Sequence, residues 1–119
     1  GLISLDASGV SRDPKVVADY MADPFVNHGK VTAALGIAIF DAMEQVMTQA
    51  QTISLPMLVM HGEADTMAAP KGSEQFAQAV QSQDLTIKLL PGLYHEIFNE
   101  PEGPEIIAAY ADWIEARLA

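Results

Sequence analysis

The chain has 119 residues, half of them hydrophobic, and this length and composition suit one globular domain rather than a disordered segment. Its formal net charge of −10 argues against nucleic acid or an anionic membrane surface as a partner, because both require clustered basic residues. It contains no cysteine, which excludes disulfide scaffolds, thiolate zinc sites and cysteine nucleophiles.

The first fifty residues predict two helices. Asp13 before Pro14 is typical of a helix cap followed by proline in the first turn, so a short helix is predicted from Pro14 to about Met21. A second helix is predicted over residues 30–49, where apolar residues recur at every fourth position. These residues are Val31, Leu35, Ile39 and Met43. The second helix fits either a buried position or a lid, and no apolar run reaches the length of about 18 residues that a bilayer span requires.

After residue 50 the pattern changes to strands that alternate with helices. The apolar runs Met57–Met60 and Leu85–Leu90 predict strands, and the first is apolar throughout, as a strand buried on both faces requires. Helices are predicted over residues 72–82, where Ser73 is a candidate cap, and over residues 105–118. The four elements form a βαβα unit, so the strands should be parallel with a right-handed crossover. The expected core face of the last helix carries Ile106, Ile107, Tyr110, Trp113, Ile114 and Leu118.

One polar side chain follows each predicted strand: Asp65 follows the first and His95 the second. Neighbouring parallel strands lie about 4.8 Å apart and end at the same edge of a sheet, so a carboxylate and an imidazole can meet there. In such a pair His95 would act as general base and then general acid, while Asp65 fixes its tautomer and stabilises the imidazolium. Either residue alone is more often structural, but the pair in this order favours a catalytic role.

Three stretches of sequence carry a resemblance. Residues 60–65 read MHGEAD with KGS at 71–73, residues 94–101 read YHEIFNEP, and SRDP at 11–14 is followed by ADP at 22–24. Together they resemble the C-terminal part of α/β-hydrolases of the monoacylglycerol lipase and lysophospholipase family. The resemblance implies the C-terminal portion of an α/β-hydrolase fold: residues 1–50 would be the end of the cap or lid region with a connecting helix, and residues 51–119 the closing βαβα portion.

The resemblance also implies a function, that of a serine ester hydrolase acting on acyl esters of lipids such as monoacylglycerols or lysophospholipids. It identifies Asp65 as the triad acid and His95 as the triad histidine. The sequence departs from the family in one respect, because no G-x-S-x-G motif occurs in the 119 residues. The nucleophilic serine and the oxyanion-hole loop would then lie upstream. No organic cofactor or metal is implied, since this chemistry needs neither.

Two alternatives stay open. In the first, the isolated chain is an inactive fragment or assembly subunit, and its exposed sheet edge pairs with the missing N-terminal portion or with a second copy in a homo-oligomer. In the second, the chain is a minimal esterase with an unconventional nucleophile, either Ser11, which stands in half of a nucleophile elbow, or Ser73.

Weaker signals are interpreted structurally. We interpret His61 as part of the turn after the first strand rather than as a metal ligand. Asn99 stands where the motif H-E-x-x-H requires its second histidine, which excludes a zinc site of that type. No signal peptide opens the sequence, and a cytoplasmic location is the expectation.

Overall fold

A computed structural model describes residues 4–118 of the chain. It contains four α-helices and two β-strands in the predicted order. They are α1 (Pro14–Ala22), α2 (Ala33–Gln49), β1 (Met57–Gly62), α3 (Pro70–Ala79), β2 (Leu85–Leu90) and α4 (Gly103–Glu115). Short 3₁₀ turns at Ala7–Gly9, Ala50–Thr52 and Ile97–Asn99 lie between these elements.

The two strands pair in parallel, which confirms the predicted strand direction. Met57 lies opposite Leu85, and the pairing continues in register to the end of both strands. Side chains therefore alternate between two faces of the sheet. On one face His61 contacts α3 through Ser73. On the other face α4 packs, and Trp113 Nε1 donates a hydrogen bond to Thr86 Oγ1 at 3.1 Å.

The hydrophobic core lies on the α4 side, beneath the loop that follows β2. Its buried members belong to that loop, to the 3₁₀ turn after it and to α4. They are Leu93, Ile97 and Ile106, with Met60, Leu90 and Tyr110 packed against them. Because the core touches this loop directly, it supports the segment that carries His95.

Helix α3 begins two residues earlier than the predicted range, and Ser73 does not cap it. Pro70 occupies the first turn, where its fixed φ and missing N–H cost nothing, and the capping position falls on Ala69. The cap prediction for Ser73 is therefore wrong. Its side chain lies one turn inside the helix and contacts His61 instead.

Helix α2 begins at Ala33 rather than at residue 30, because Thr32 Oγ1 caps it by accepting a hydrogen bond from a first-turn amide at 3.2 Å. The structure describes every residue of α2 and none of them is buried. The predicted buried position of this helix is therefore wrong. Phe40 is 68% exposed, and most other large apolar side chains of the helix also face outward. Within residues 4–118 no helix combines the length and hydropathy that a membrane span requires.

The predicted core face of α4 is correct for only half of its members. Ile106 is buried, and Tyr110 and Trp113 are partly buried. Three residues expected in the core are exposed, namely Ile107, Ile114 and Leu118. A sheet of two strands is too narrow to cover the full apolar width of α4, and Leu118 lies beyond the helix end at Glu115.

Candidate active site

The loops that follow β1 and β2 contact each other backbone to backbone. Ala64 N donates to Leu93 O at 3.0 Å, and Asp65 N turns back to donate to Gly62 O at 3.2 Å. Gly62 is needed for this approach, because an added Cβ would lie 2.5 Å from Leu93 O and would also collide with Tyr94 O. The two predicted site loops thus meet at the carboxyl ends of the parallel strands.

The carboxylate of Asp65 is buried and receives four hydrogen bonds. Its Oδ1 accepts from the amides of Met67 and Ala68 at 2.7 and 3.0 Å. Its Oδ2 accepts from His95 Nδ1 at 2.9 Å and from His61 Nε2 at 3.0 Å. Burial would raise the pKa of Asp65, but the hydrogen bonds from the two amides and from His95 outweigh it and lower that pKa. The group is therefore an ionised carboxylate at neutral pH.

The imidazole of His95 faces Asp65 with one nitrogen and solvent with much of its ring. Because an ionised carboxylate can only accept, Nδ1 carries the proton, which leaves the Nε2 lone pair as the basic site. The side chain is 41% exposed. With Met60 and Ile97 it lines a pocket of about 130 Å³ at the sheet edge. The structure therefore brings together the two residues that the sequence singles out.

A second buried carboxylate fixes the loop that carries His95. The fully buried side chain of Glu100 accepts from Tyr94 N at 2.9 Å and from Arg12 N at 3.2 Å through Oε1. Its Oε2 accepts from Arg12 Nε at 2.7 Å. In addition, His95 N donates to Gly9 O at 3.3 Å. The segment before α1 is thus joined to the histidine loop.

Sequence reasoning missed both charged members of this contact. The available signal was that the SRDP and YHEIFNEP segments each contain a charged residue with no assigned partner, Arg12 in one and Glu100 in the other. The sequence does not predict that the two charges pair, because 88 residues separate them along the chain.

Ser11, one of the two alternative nucleophiles, is structural. Its buried hydroxyl donates to Asn99 O at 3.0 Å and accepts from Asp13 N at 3.0 Å. The hydroxyl proton is thus held by Asn99 O, and the side chain is buried, which argues against Ser11 as the nucleophile.

His61 has a larger role than the turn residue that the sequence suggested. It lies within β1, and its Nδ1 is 2.6 Å from Ser73 Oγ while its Nε2 contacts Asp65 Oδ2. The missed signal was the tight turn at Gly62, which folds Asp65 back onto the ring four residues before it. Among the residues that the structure describes, no cluster of three or more His, Asp or Glu side chains could hold a metal ion.

Comparison with known proteins identifies the family. The sequence profile of the serine aminopeptidase family, S33, matches residues 2–102. The chain belongs to this family of α/β-hydrolases. The predicted fold class, a partial α/β-hydrolase fold with a parallel sheet, is confirmed.

Several relatives of this α/β-hydrolase chain are lipases. It is 42% identical over 115 residues to a monoacylglycerol lipase of Mycolicibacterium smegmatis, covering 97% of this chain and 41% of the lipase. It is 31% identical over 117 residues to rat monoglyceride lipase, covering 97% and 39%. The crystal structure of a Paleococcus ferrophilus monoacylglycerol lipase superimposes with a TM-score of 0.85 and 36% identity, over 93% of this chain and 44% of that one. The chain thus spans about two fifths of the length of these relatives.

Proposed function

We propose that this chain is the C-terminal portion of a serine ester hydrolase and supplies the acid, Asp65, and the histidine, His95, of its triad. The observation that carries the proposal is the contact of 2.9 Å between Asp65 Oδ2 and His95 Nδ1, which leaves His95 Nε2 as an exposed base. The nucleophilic serine comes from sequence outside the chain, since no G-x-S-x-G motif occurs within it.

In each stage of the reaction His95 first accepts a proton and then gives it away. As the serine oxygen attacks the ester carbonyl, His95 Nε2 accepts the hydroxyl proton, and Asp65 stabilises the resulting imidazolium. The imidazolium then gives this proton to the departing alkoxide, which leaves an acyl-serine. Water attacks the acyl-serine in the same way, so that the acid is released and the serine and His95 regain their starting states.

The substrate class that we propose is a lipid with a single acyl ester, such as a monoacylglycerol or a lysophospholipid. The named relatives support an ester rather than a peptide substrate: the family description refers to an aminopeptidase, but proteins 42% and 31% identical to this chain are called lipases. No metal or organic cofactor takes part in the proposed reaction.

A chimera tests the proposal. In it, the matched C-terminal segment of the M. smegmatis lipase is replaced by this chain, and hydrolysis of a monoacylglycerol is measured. We expect turnover by the chimera and a loss of about 10²–10⁴-fold in kcat for His95→Ala, the usual contribution of a general base. Asp65→Asn should lower kcat as well.

Controls separate chemistry from folding. Asn99→Ala changes an exposed side chain of the 3₁₀ turn that follows the histidine loop and should leave kcat nearly unchanged. Circular dichroism must show the same fold for each variant. If the folded His95→Ala chimera hydrolysed the ester at the rate of the parent chimera, the proposed role of His95 would be wrong.

A second candidate function keeps catalysis within the chain, with Ser73 as the nucleophile. The observation in its favour is the sequence of contacts from Ser73 Oγ to His61 Nδ1, and from His61 Nε2 to Asp65 Oδ2, at 2.6 and 3.0 Å. The side chain of His61 is only 16% exposed, against 41% for His95, so we favour His95 as the base. Turnover of a p-nitrophenyl ester by the isolated chain, abolished by Ser73→Ala, would reverse this preference.

A further inference from the structure

We propose that His61 is a positioning residue, which holds the oxygen of Asp65 that faces His95 and is itself held by Ser73. The inference rests on the proposed roles of Asp65 and His95. His61 donates to the same carboxylate oxygen as the proposed base, His95.

The contacts of His61 fix which of its ring nitrogens carries the proton. Its Nε2 lies 3.0 Å from Asp65 Oδ2 and 3.0 Å from Ala68 O, and both oxygens can only accept. Nε2 must therefore carry the proton, and it donates to both. This assignment follows from the partners and needs no assumption about which ring nitrogen is the more basic.

The other ring nitrogen, Nδ1, faces helix α3. Ser73 Oγ lies 2.6 Å from His61 Nδ1. A hydroxyl can donate to the bare nitrogen of a neutral ring and accept from the protonated nitrogen of a charged one. Ser73 therefore supports the ring in either state, and it connects the ring to α3, on the face of the sheet opposite the hydrophobic core.

The two oxygens of Asp65 are held by different partners. The amides of Met67 and Ala68 fix Oδ1 alone. The remaining oxygen, Oδ2, must stay in line with His95 Nδ1, and apart from that ring its only other hydrogen-bond donor among the described residues is His61. A donor from a second direction limits the swing of Oδ2, which keeps the carboxylate aligned with the ring of His95.

The chain itself allows a test that needs no catalysis. Nitrogen-15 NMR of the histidine rings reports which nitrogen of each neutral ring carries the proton. In the unaltered chain we expect the Nδ1–H tautomer for His95 and the Nε2–H tautomer for His61. In His61→Leu, which replaces the donor ring with an apolar side chain, we expect the fraction of the Nδ1–H tautomer of His95 to fall.

His61→Gln is the matched control, because its side-chain amide can donate to Asp65 Oδ2 in place of the ring. It should restore the Nδ1–H tautomer of His95. If altered packing alone caused the change in His61→Leu, we would expect no such restoration. Ser73→Ala removes one hydroxyl from an intact helix and releases one side of the His61 ring, so it should also lower the Nδ1–H fraction of His95, to a smaller extent than His61→Leu. If His61→Leu unfolds the chain, this second variant decides the question.

The inference is overturned if His95 keeps its Nδ1–H tautomer to the same extent in folded His61→Leu or, where that variant unfolds, in Ser73→Ala. Failure of the proposed function has a different signature. There the chimera would keep its activity after His95→Ala, even though the tautomer of His95 still depended on His61.

Discussion

At the scale of single residues, the site is organised around two buried carboxylates with different tasks. Asp65 orients a ring that faces solvent, and Glu100 holds the backbone of the loop that carries this ring. Each receives hydrogen bonds from backbone amides as well as from a side chain, which is how a buried negative charge is normally stabilised. The position of His95 therefore depends on both.

The lowered pKa of Asp65 makes part of the stability depend on pH. The folded value lies below the unfolded one, which is about 3.9, so the ionised group contributes its full stabilisation above pH 3.9 and loses it as the pH falls through the folded value. We expect the free energy of unfolding to decline more steeply below about pH 4 in the unaltered chain than in Asp65→Asn.

Urea unfolding at a series of pH values between 6 and 2, on the order of one unit apart, measures this difference. Asp41→Asn, at an exposed position of α2, is the control and should follow the unaltered chain. Parallel curves for the unaltered chain and Asp65→Asn would contradict the expectation.

Glu100 offers a test of the histidine loop. Glu100→Ala leaves the amide of Tyr94 without its acceptor, so we expect the free energy of unfolding to fall by about 1–3 kcal/mol. Glu102→Ala removes the other carboxylate that pairs with Arg12, at a more exposed position, and should cost less than about 1 kcal/mol. Equal losses for the two variants in urea unfolding would show that the buried carboxylate has no special role.

At the scale of elements, the site depends on how closely the ends of β1 and β2 approach. Gly62→Ala places a methyl group against the carbonyl oxygens of Leu93 and Tyr94, which belong to backbone and cannot rotate away. We expect a loss of about 3 kcal/mol in the free energy of unfolding, together with a displaced histidine loop.

Gly72→Ala is the matched control for this change. Gly72 lies inside α3 with no atom within 4 Å of an added Cβ, so the substitution should stabilise the chain by about 0.5–1 kcal/mol. Thermal unfolding followed by circular dichroism gives both values. A tolerated Gly62→Ala would mean that the strand ends do not need this contact.

The order of elements and the two proposed triad residues followed from local patterns. Apolar runs predicted the strands, and the shared carboxyl end of parallel strands predicted that Asp65 and His95 would meet. The observed helix starts differ from the predicted ones because single residues set them: the cap Thr32 for α2 and the first-turn proline Pro70 for α3. The pairing of Arg12 with Glu100 could not be predicted, since contacts between distant segments leave no local periodicity.

At the scale of the whole molecule, the predicted division at residue 50 separates two parts that are in contact. The amide of His95 donates to Gly9 O, and the amide of Glu96 donates to Val10 O at 2.9 Å. We therefore propose that the end of the cap region, residues 1–50, serves the site by supporting the histidine loop of the core portion, residues 51–119.

The exposed apolar surface of α2 leads to an expectation about assembly. Apolar patches of this kind drive association unless another surface covers them. We propose that the isolated chain self-associates, and sedimentation velocity should show a sedimentation coefficient that rises with concentration. Phe40→Glu should weaken the association.

Gln45→Glu is the control for charge, because it adds the same charge to an exposed position of α2 without removing apolar surface. It should associate nearly as strongly as the unaltered chain. A monomer at all concentrations would contradict self-association.

The most direct test of the central claim is the rate at which a fluorophosphonate probe modifies the serine of the chimera, followed by intact mass. We predict one adduct per chimera molecule. In His95→Ala the adduct should form more slowly by about 10²-fold or more, because the serine would lose its general base. The isolated chain should keep its unmodified mass. Equal rates of labelling with and without His95, or an adduct on Ser73 of the isolated chain, would contradict the account.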